Sequence, residues 1–386
     1  MDFKFIRQPK NIILFAFFAL LLFMGHRTGF ITVLTLFCFL ITFIVPWYRY
    51  FDKLAILIIS FTICFTLIGI ASGFVSSVAT AIAYFIPSIF FYFLGKYIVD
   101  IINHKSHLLW FIIVVVILYL FETYLTVIQT VISTGSILNT SRLFFFGGNE
   151  GRQLTATLVG LCASLGFIGL PISIIYKDSR IVQLLFMILF LLSLVTTVHL
   201  VNRTGLVICI FSLLFTLAYY YKSNISKIVF AVILCAILYA ILVHFEVVTP
   251  EVLDAYAARN EADFTTGGNR TGKWAEAIHQ LLISPLGWAE NNGTTELYVH
   301  NMWLDIAKVT GILPFILLVL CTISSIKTLF VLLREKRDVV VAMLLSINIC
   351  FFLSCFVEPV YGGLHFFLYV MIWGFQKQYS VKFQNS

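Results

Sequence analysis

Residues 181–221 read IVQLLFMILFLLSLVTTVHLVNRTGLVICIFSLLFTLAYYY. Two apolar runs, 181–201 and 205–221, flank a polar break of four residues, Asn202-Arg203-Thr204-Gly205. At 1.5 Å per residue, about 20 residues of helix cross the roughly 30 Å of bilayer hydrocarbon. A membrane β-strand would need only about 10 residues, alternating apolar and polar. These runs are continuous, so they read as two membrane helices joined by a tight turn. Arg203 then sits at or just below one membrane surface, with His199 one helical turn beneath it.

Applied outward in both directions, the same ruler marks twelve candidate spans. They are 11–25, 29–45, 54–71, 74–94, 108–132, 154–175, 181–201, 205–221, 228–248, 301–333, 339–357 and 363–376. The segment 301–333 is too long for one perpendicular span, so its first third is expected to lie oblique or at the interface. Lys4, Arg7 and Lys10 precede the first run as in a signal peptide, but no small-x-small site follows, so an uncleaved first span is expected. The fold class is therefore all-α and polytopic, one integral membrane domain over 1–386, with about 12 transmembrane helices.

Composition agrees. Of 386 residues, 61% are apolar and 11% charged, against about 25% charged in soluble domains. A soluble enzyme, a nucleic-acid binder and a disordered regulator are excluded. The net charge of +7 is no nucleic-acid signal, because it follows the loops. With the N-terminus in the cytoplasm, 17 of the 25 Lys and Arg fall on cytoplasmic segments and 8 on the other side. That bias places both termini inside. All eight Cys fall within predicted spans, so no disulfide framework is expected in the loops. There is no Walker, GxGxxG or HExxH motif, so any chemistry must use a substrate that is already activated.

Two outward loops are long, 133–153 and 249–299. In the larger one, Thr249-Pro250-Glu251 signals a helix start. A second helix is expected from Arg270 through Lys273 and Trp274 to the stop at Pro285. Its apolar face is read as Trp274, Ile278, Leu281 and Leu282. His300-Asn301 follows, with His300, Leu304, Ala307 and Gly311 on one helical stripe and Asp305 within reach of Lys308. Gly311 would let another helix approach closely. The smaller loop offers Arg142, Gly147, Gly148, Asn149 and Arg152. Taken singly, these residues have plainer readings. Arg203 also fits a snorkelling arginine, Arg142, Arg152 and Arg270 loop charges, His300 an interfacial histidine, and Trp274, Trp288 and Trp303 an aromatic belt. Glu122, deep in the fifth span, is expected to face a partner or a cavity. Arg203, Arg270 and His300 share one side of the membrane in a topology derived without them.

His300-Asn301, nine residues, Gly311 resembles the His-Asn motif of the O-antigen ligase and O-antigen polymerase superfamily, with Pro314 replacing that motif's last Gly. Arg270-x-x-x-Trp274 followed by Ser284-Pro285-Leu286-Gly287 is similar to the family's Arg-x-x-x-Trp and Pro-x-Gly run. Arg203-x-Gly205 matches an Arg-x-Gly element at a span boundary. Arg142 with Gly147-Gly148-Asn149 resembles, more loosely, an earlier element.

The resemblance implies a GT-C-like glycosyltransferase of the bacterial inner membrane that works without metal or cofactor and inverts the anomeric centre. It implies that a glycan on undecaprenyl pyrophosphate moves to an acceptor hydroxyl at the outer face. Arg203 and Arg270 would hold the pyrophosphate and His300 would be the base. Asn301, Arg142, Asn149, Trp274 and Lys273 would bind substrate, with Trp288 and Tyr298 as further sugar-stacking faces. Membrane lipid, a chain-length regulator and a flippase are the partners implied, and nucleic acid is not among them. Polymerase is favoured over ligase. A transporter of lipid-linked sugar is the reading from another class, disfavoured because polarity gathers at one face rather than the midplane. A structural membrane subunit comes third.

Overall fold

In the computed structural model, residues 8–25, 30–138, 142–144, 153–222, 233, 237, 250–264, 270–288, 299–334, 337–358 and 360–384 are described. The chain packs as two compact units. One comprises 1–108, 267–335 and 355–386, the other 109–266 and 336–354.

The first unit contains α1 (Pro9–Met24), α2 (Phe30–Ile44), α3 (Lys53–Ala71) and α4 (Val78–Ile101). The second is built on α5 (Lys105–Thr134), which begins in the first. It adds the strands β1 (Arg142–Phe144) and β2 (Gln153–Thr155), then α6 (Ala156–Ser164), α7 (Gly169–Ile175), α8 (Arg180–His199), α9 (Arg203–Tyr221) and α10 (Pro250–Phe264). The chain returns to the first unit with α11 (Arg270–Ile283), α12 (Met302–Thr310) and α13 (Ile312–Arg334). It closes with α14 (Val339–Val357) and α15 (Leu364–Gln384). Caps set many of these boundaries. Asp52, Ser77, Ser179 and Asn202 each accept a first-turn amide of the helix that follows.

Among the described residues, eight helical segments are long and apolar enough to cross a membrane: α3, α4, α5, α6 with α7, α8, α9, α13 and α14. Their outer faces are apolar, with Ile56, Leu67, Leu184, Phe211, Phe215 and Leu313 exposed, as suits contact with lipid chains. α1 and α2 are shorter apolar helices at the first two expected spans. α15 runs past its expected end at 376 into Lys377 and Lys382, and the ninth expected span, 228–248, lies almost entirely outside the described residues. Among the described residues the chain is an all-helical polytopic membrane protein, apart from one antiparallel ribbon in which Arg142 pairs with Thr155. That ribbon lies in the long loop expected at 133–153 and at the start of the span after it. Buried Leu143 anchors it among Ile137, Val159 and Leu200, and Thr130 accepts the Phe144 amide.

In the first unit α4 and α15 touch backbone to backbone. A Cβ at Gly95 would collide with the Met371 carbonyl, and one at Gly374 with the Tyr92 carbonyl. Small residues at matched positions permit this approach where no water drives helices together. At one end of this unit Lys96 donates to Asp52 at 2.6 Å and to the Tyr50 carbonyl at 2.9 Å, while Tyr92 donates to the same carboxylate. Lys96, just past the expected 74–94 span and so counted among the 17 basic residues of cytoplasmic segments, is buried near the end of α4. An apolar setting tolerates it because its ammonium has both charge and hydrogen-bond partners.

In the second unit polar side chains tie helices in pairs. Tyr124 bonds Ser193, Ser193 donates to the Ala163 carbonyl, and Ser212 bonds Ser346. Glu122 is buried and accepts from Thr126 one turn on. It faces the protein interior, as its cost in lipid demands. Among the described residues no cysteine is in a disulfide.

Candidate active site

The first unit assembles the Arg270–Trp274 helix, the Pro-x-Gly turn and the His-Asn helix into one structure. α10 begins at Pro250 and α11 at Arg270, both at the expected residues, and α11 ends before Pro285. The buried face of α11 is only half the one the periodicity selected. Ala277 (2% exposed) and Leu281 (6%) point inward with half-buried Trp274, whereas Ile278 (53%) and Leu282 (74%) are exposed. A helix with apolar residues on two adjoining faces leaves that choice to its neighbours, and here the neighbour is α12. Ala277 and Leu281 pack with Trp288, Val299, Leu304 and Ala307.

The turn after α11 docks on the end of α12. Trp288 donates its amide to the Lys308 carbonyl at 2.9 Å, and Ile312 donates to the Pro285 carbonyl at 2.8 Å. The two motif glycines make this possible, Gly287 at φ +105° and Gly311 at φ +79°. Gly311 breaks the expected 301–333 segment into α12 and α13. What approaches it closely is the backbone of Pro285 and Leu286, not another helix.

His300 lies before α12 rather than on its stripe, in the left-handed region at φ +59°. Such a conformation costs a non-glycine residue about 1–3 kcal/mol and must be held by its surroundings. Asp305 holds it. One carboxylate oxygen accepts the Val299 amide at 2.6 Å and the other the Asn301 amide at 3.0 Å, so the amides of the residues on either side of His300 are clamped. Burial pushes the Asp305 carboxyl above its ordinary range, against the pull of those amides and of Lys308. The carboxylate that feels the Lys308 charge, as expected, thus also fixes the His300 backbone.

The imidazole is part-exposed, but its Nδ1 edge is buried and has no hydrogen-bond partner. Across from Nδ1, at 3.6 Å, lies Oε2 of Glu358, just beyond α14. That is an ion-pair distance rather than a hydrogen bond. Glu358 was not singled out in the sequence. It sits in a short connection between two expected spans, where an acid gives no periodic signal.

Asn301 caps α12, its Oδ1 accepting the Leu304 amide at 3.2 Å, and its Nδ2 donates to the Phe356 carbonyl at 3.5 Å. Both ends of its buried amide have partners within the protein. Trp274 and Trp303 both set their rings edge-on to Phe356. Trp274 is therefore a packing residue on one face, with a buried indole N–H that has no acceptor. Trp288 is buried in the core and offers no sugar-stacking face. Lys273 is half-buried on α11.

The second unit carries Arg203 and Arg142. Arg203 is the first residue of α9 and is half-buried behind the Asn202 cap, and Asn202 fits because Gly160 has no side chain there. His199 bonds back to its own helix at the Val195 carbonyl, 2.9 Å away. Arg142 is exposed on β1. Asn149, with Gly147, Gly148, Arg152 and Tyr298, lies outside the described residues.

Residues 188–319 match a family model described as O-antigen ligase. The match covers about a third of the chain, from within α8 to within α13. It takes in Arg203, Arg270, Lys273, Trp274, His300 and Asn301, and leaves out Arg142 and Glu358. It is consistent with the O-antigen polymerase and ligase superfamily. No curated protein matches the chain.

Proposed function

We propose that this chain polymerises oligosaccharide repeat units carried on undecaprenyl pyrophosphate, at the outer face of the bacterial cytoplasmic membrane, building O-antigen, capsule or exopolysaccharide. The observation that carries the reading is the O-antigen ligase match laid over α11, the Pro-x-Gly turn and α12, three motif elements that hydrogen bond and pack into one body.

In this reading an acceptor hydroxyl attacks the anomeric carbon of the donor glycan. The new carbon–oxygen bond forms as the bond to the pyrophosphate oxygen breaks. The bonding pair leaves with the diphosphate, and the anomeric configuration inverts. The hydroxyl proton passes to His300 at Nε2, the edge away from Glu358. As the diphosphate gains charge, Arg203 and Arg270 are assigned to its oxygens, because a guanidinium binds them through two parallel hydrogen bonds. Lys273, three residues along α11 from Arg270, adds a second cation on a neighbouring helical position. Arg142 and Asn149 are assigned to the glycan. A chain-length regulator and a flippase complete the proposed set of partners.

The match to an O-antigen ligase family favours one second reading, a ligase that moves finished glycan to lipid A core. Deleting the gene and resolving surface glycan on gels separates the two. Loss of polymer with a single repeat unit retained supports the polymerase. Long lipid-linked chains with none on the lipid core support the ligase. An unchanged glycan overturns both.

A further inference from the structure

We infer that Glu358 is a positioning residue for His300: its carboxylate faces the buried Nδ1 edge of the imidazole and selects the form of the ring that presents Nε2 to the acceptor hydroxyl. The inference rests on the proposed role of His300 as base.

Its first ground is the ring. Nδ1 is buried and lacks a hydrogen-bond partner, and Glu358 Oε2 stands 3.6 Å from it. A neutral imidazole has one N–H and one lone pair. A carboxylate beside Nδ1 favours the proton there, which leaves the lone pair on Nε2, and it stabilises the imidazolium once Nε2 takes a proton. Apo sites often hold such pairs slightly long, and they tighten when substrate binds.

The second ground is that both sides of the pair are over-determined. His300 is kept in its left-handed conformation by the Asp305 clamp on the flanking amides. Glu358 lies between two anchored aromatic residues. Before it, Phe356 receives the Asn301 amide on its carbonyl and the edges of Trp274 and Trp303 on its ring. After it, the Tyr361 ring stacks on Tyr84 with centroids 5.5 Å apart, and its hydroxyl donates to the Tyr84 carbonyl at 3.3 Å. A merely solvated loop acid would not need its neighbours pinned on both sides.

The test uses the full chain purified in detergent. The donor is the lipid-linked saccharide extracted from cells in which the gene is deleted, and turnover is expressed per folded protein. Glu358→Gln, equal in size and uncharged, should lower kcat by about ten- to ten-thousandfold with KM unchanged, the range spanned by carboxylate partners of metal-bound and of general-base histidines. Glu358→Asp, which keeps the charge at a greater distance, should lose less than Gln. Added to His300→Ala, Glu358→Gln should cause no further loss, because it acts through the ring.

Three results overturn the inference alone while His300→Ala keeps only residual turnover, about 10²–10⁴-fold below wild type: Glu358→Gln with normal kcat, a loss that multiplies in the His300→Ala background, or Asp faring worse than Gln. An active His300→Ala enzyme removes the base reading and this inference with it.

Discussion

Gly311→Ala probes the joint on which the site is built. Gly311 ends α12 at φ +79°, ψ −166°, a region essentially confined to glycine. An added Cβ would collide with the Pro285 carbonyl oxygen and stand 2.7 Å from both the Cα and the carbonyl carbon of Leu286. Every one of these is a backbone atom, so no side chain can swing aside. The conformational strain costs about 1–3 kcal/mol. Relieving the clash moves the turn away and forfeits the Ile312–Pro285 and Trp288–Lys308 hydrogen bonds, about 1 kcal/mol each. The sum is about 3–5 kcal/mol, among the largest effects of single substitutions. Thermal unfolding of the full chain in detergent reads it directly, with glycan polymer in the complemented deletion strain as the second readout. Both should fall. A Gly311→Ala protein that unfolds at the wild-type temperature would refute the docking of the Pro-x-Gly turn on α12.

Breaking the buried Lys96–Asp52 pair by Lys96→Met leaves Asp52 charged without its partner and should destabilise the first unit by about 3–5 kcal/mol in the same unfolding assay. Burial raises the Asp52 carboxyl, but Lys96, the Ala55 amide and Tyr92 outweigh it and hold its pKa below the ordinary 3.8. The stability it contributes should therefore be complete above pH 3.8 and be lost as pH falls below that value, which unfolding temperature against pH would trace. Arg203→Ala should abolish polymer while the protein still inserts, and Arg203→Lys should rescue poorly because an ammonium lacks the two-pronged fork; full activity of Arg203→Ala would return Arg203 to a snorkelling role. Reporter fusions after residues 50, 100, 224 and 336 should report cytoplasm, and fusions near 145 and 270 the outside; a cytoplasmic signal near 270 would separate His300 from an external substrate.

Helices were legible in the sequence because lipid imposes a coarse rule, about 20 apolar residues per crossing. Helix ends were legible where a proline decides them, as at Pro250 and Pro285, whereas the break at Gly311 was read as part of a continuous helix. What tertiary packing decides was not legible. Ala277 and Ile278 are adjacent, and only α12 determines that the smaller one goes inward. The burial of Lys96 was not legible because its acid partner lies 44 residues away. His300 looked helical because its spacing to Leu304 and Ala307 fits a stripe, while its left-handed backbone depends on Asp305 reaching back to two amides. Glu358 had no signal at all. Its meaning comes from a histidine 58 residues earlier, brought opposite it by Phe356 and Tyr361 anchoring the intervening chain.

The Gly95–Gly374 contact has a consequence in time. The two glycines are 279 residues apart, and at about 5–20 residues per second a ribosome needs roughly 15–55 s to supply the second after the first. Throughout that interval α4 is already in the bilayer with its closest companion unmade, and its face around Gly95 lacks the backbone that will cover it. Biogenesis of the first unit is thus a waiting problem. Early helices must be held apart from wrong partners, by lipid or by the insertion machinery, until α15 arrives to seat itself.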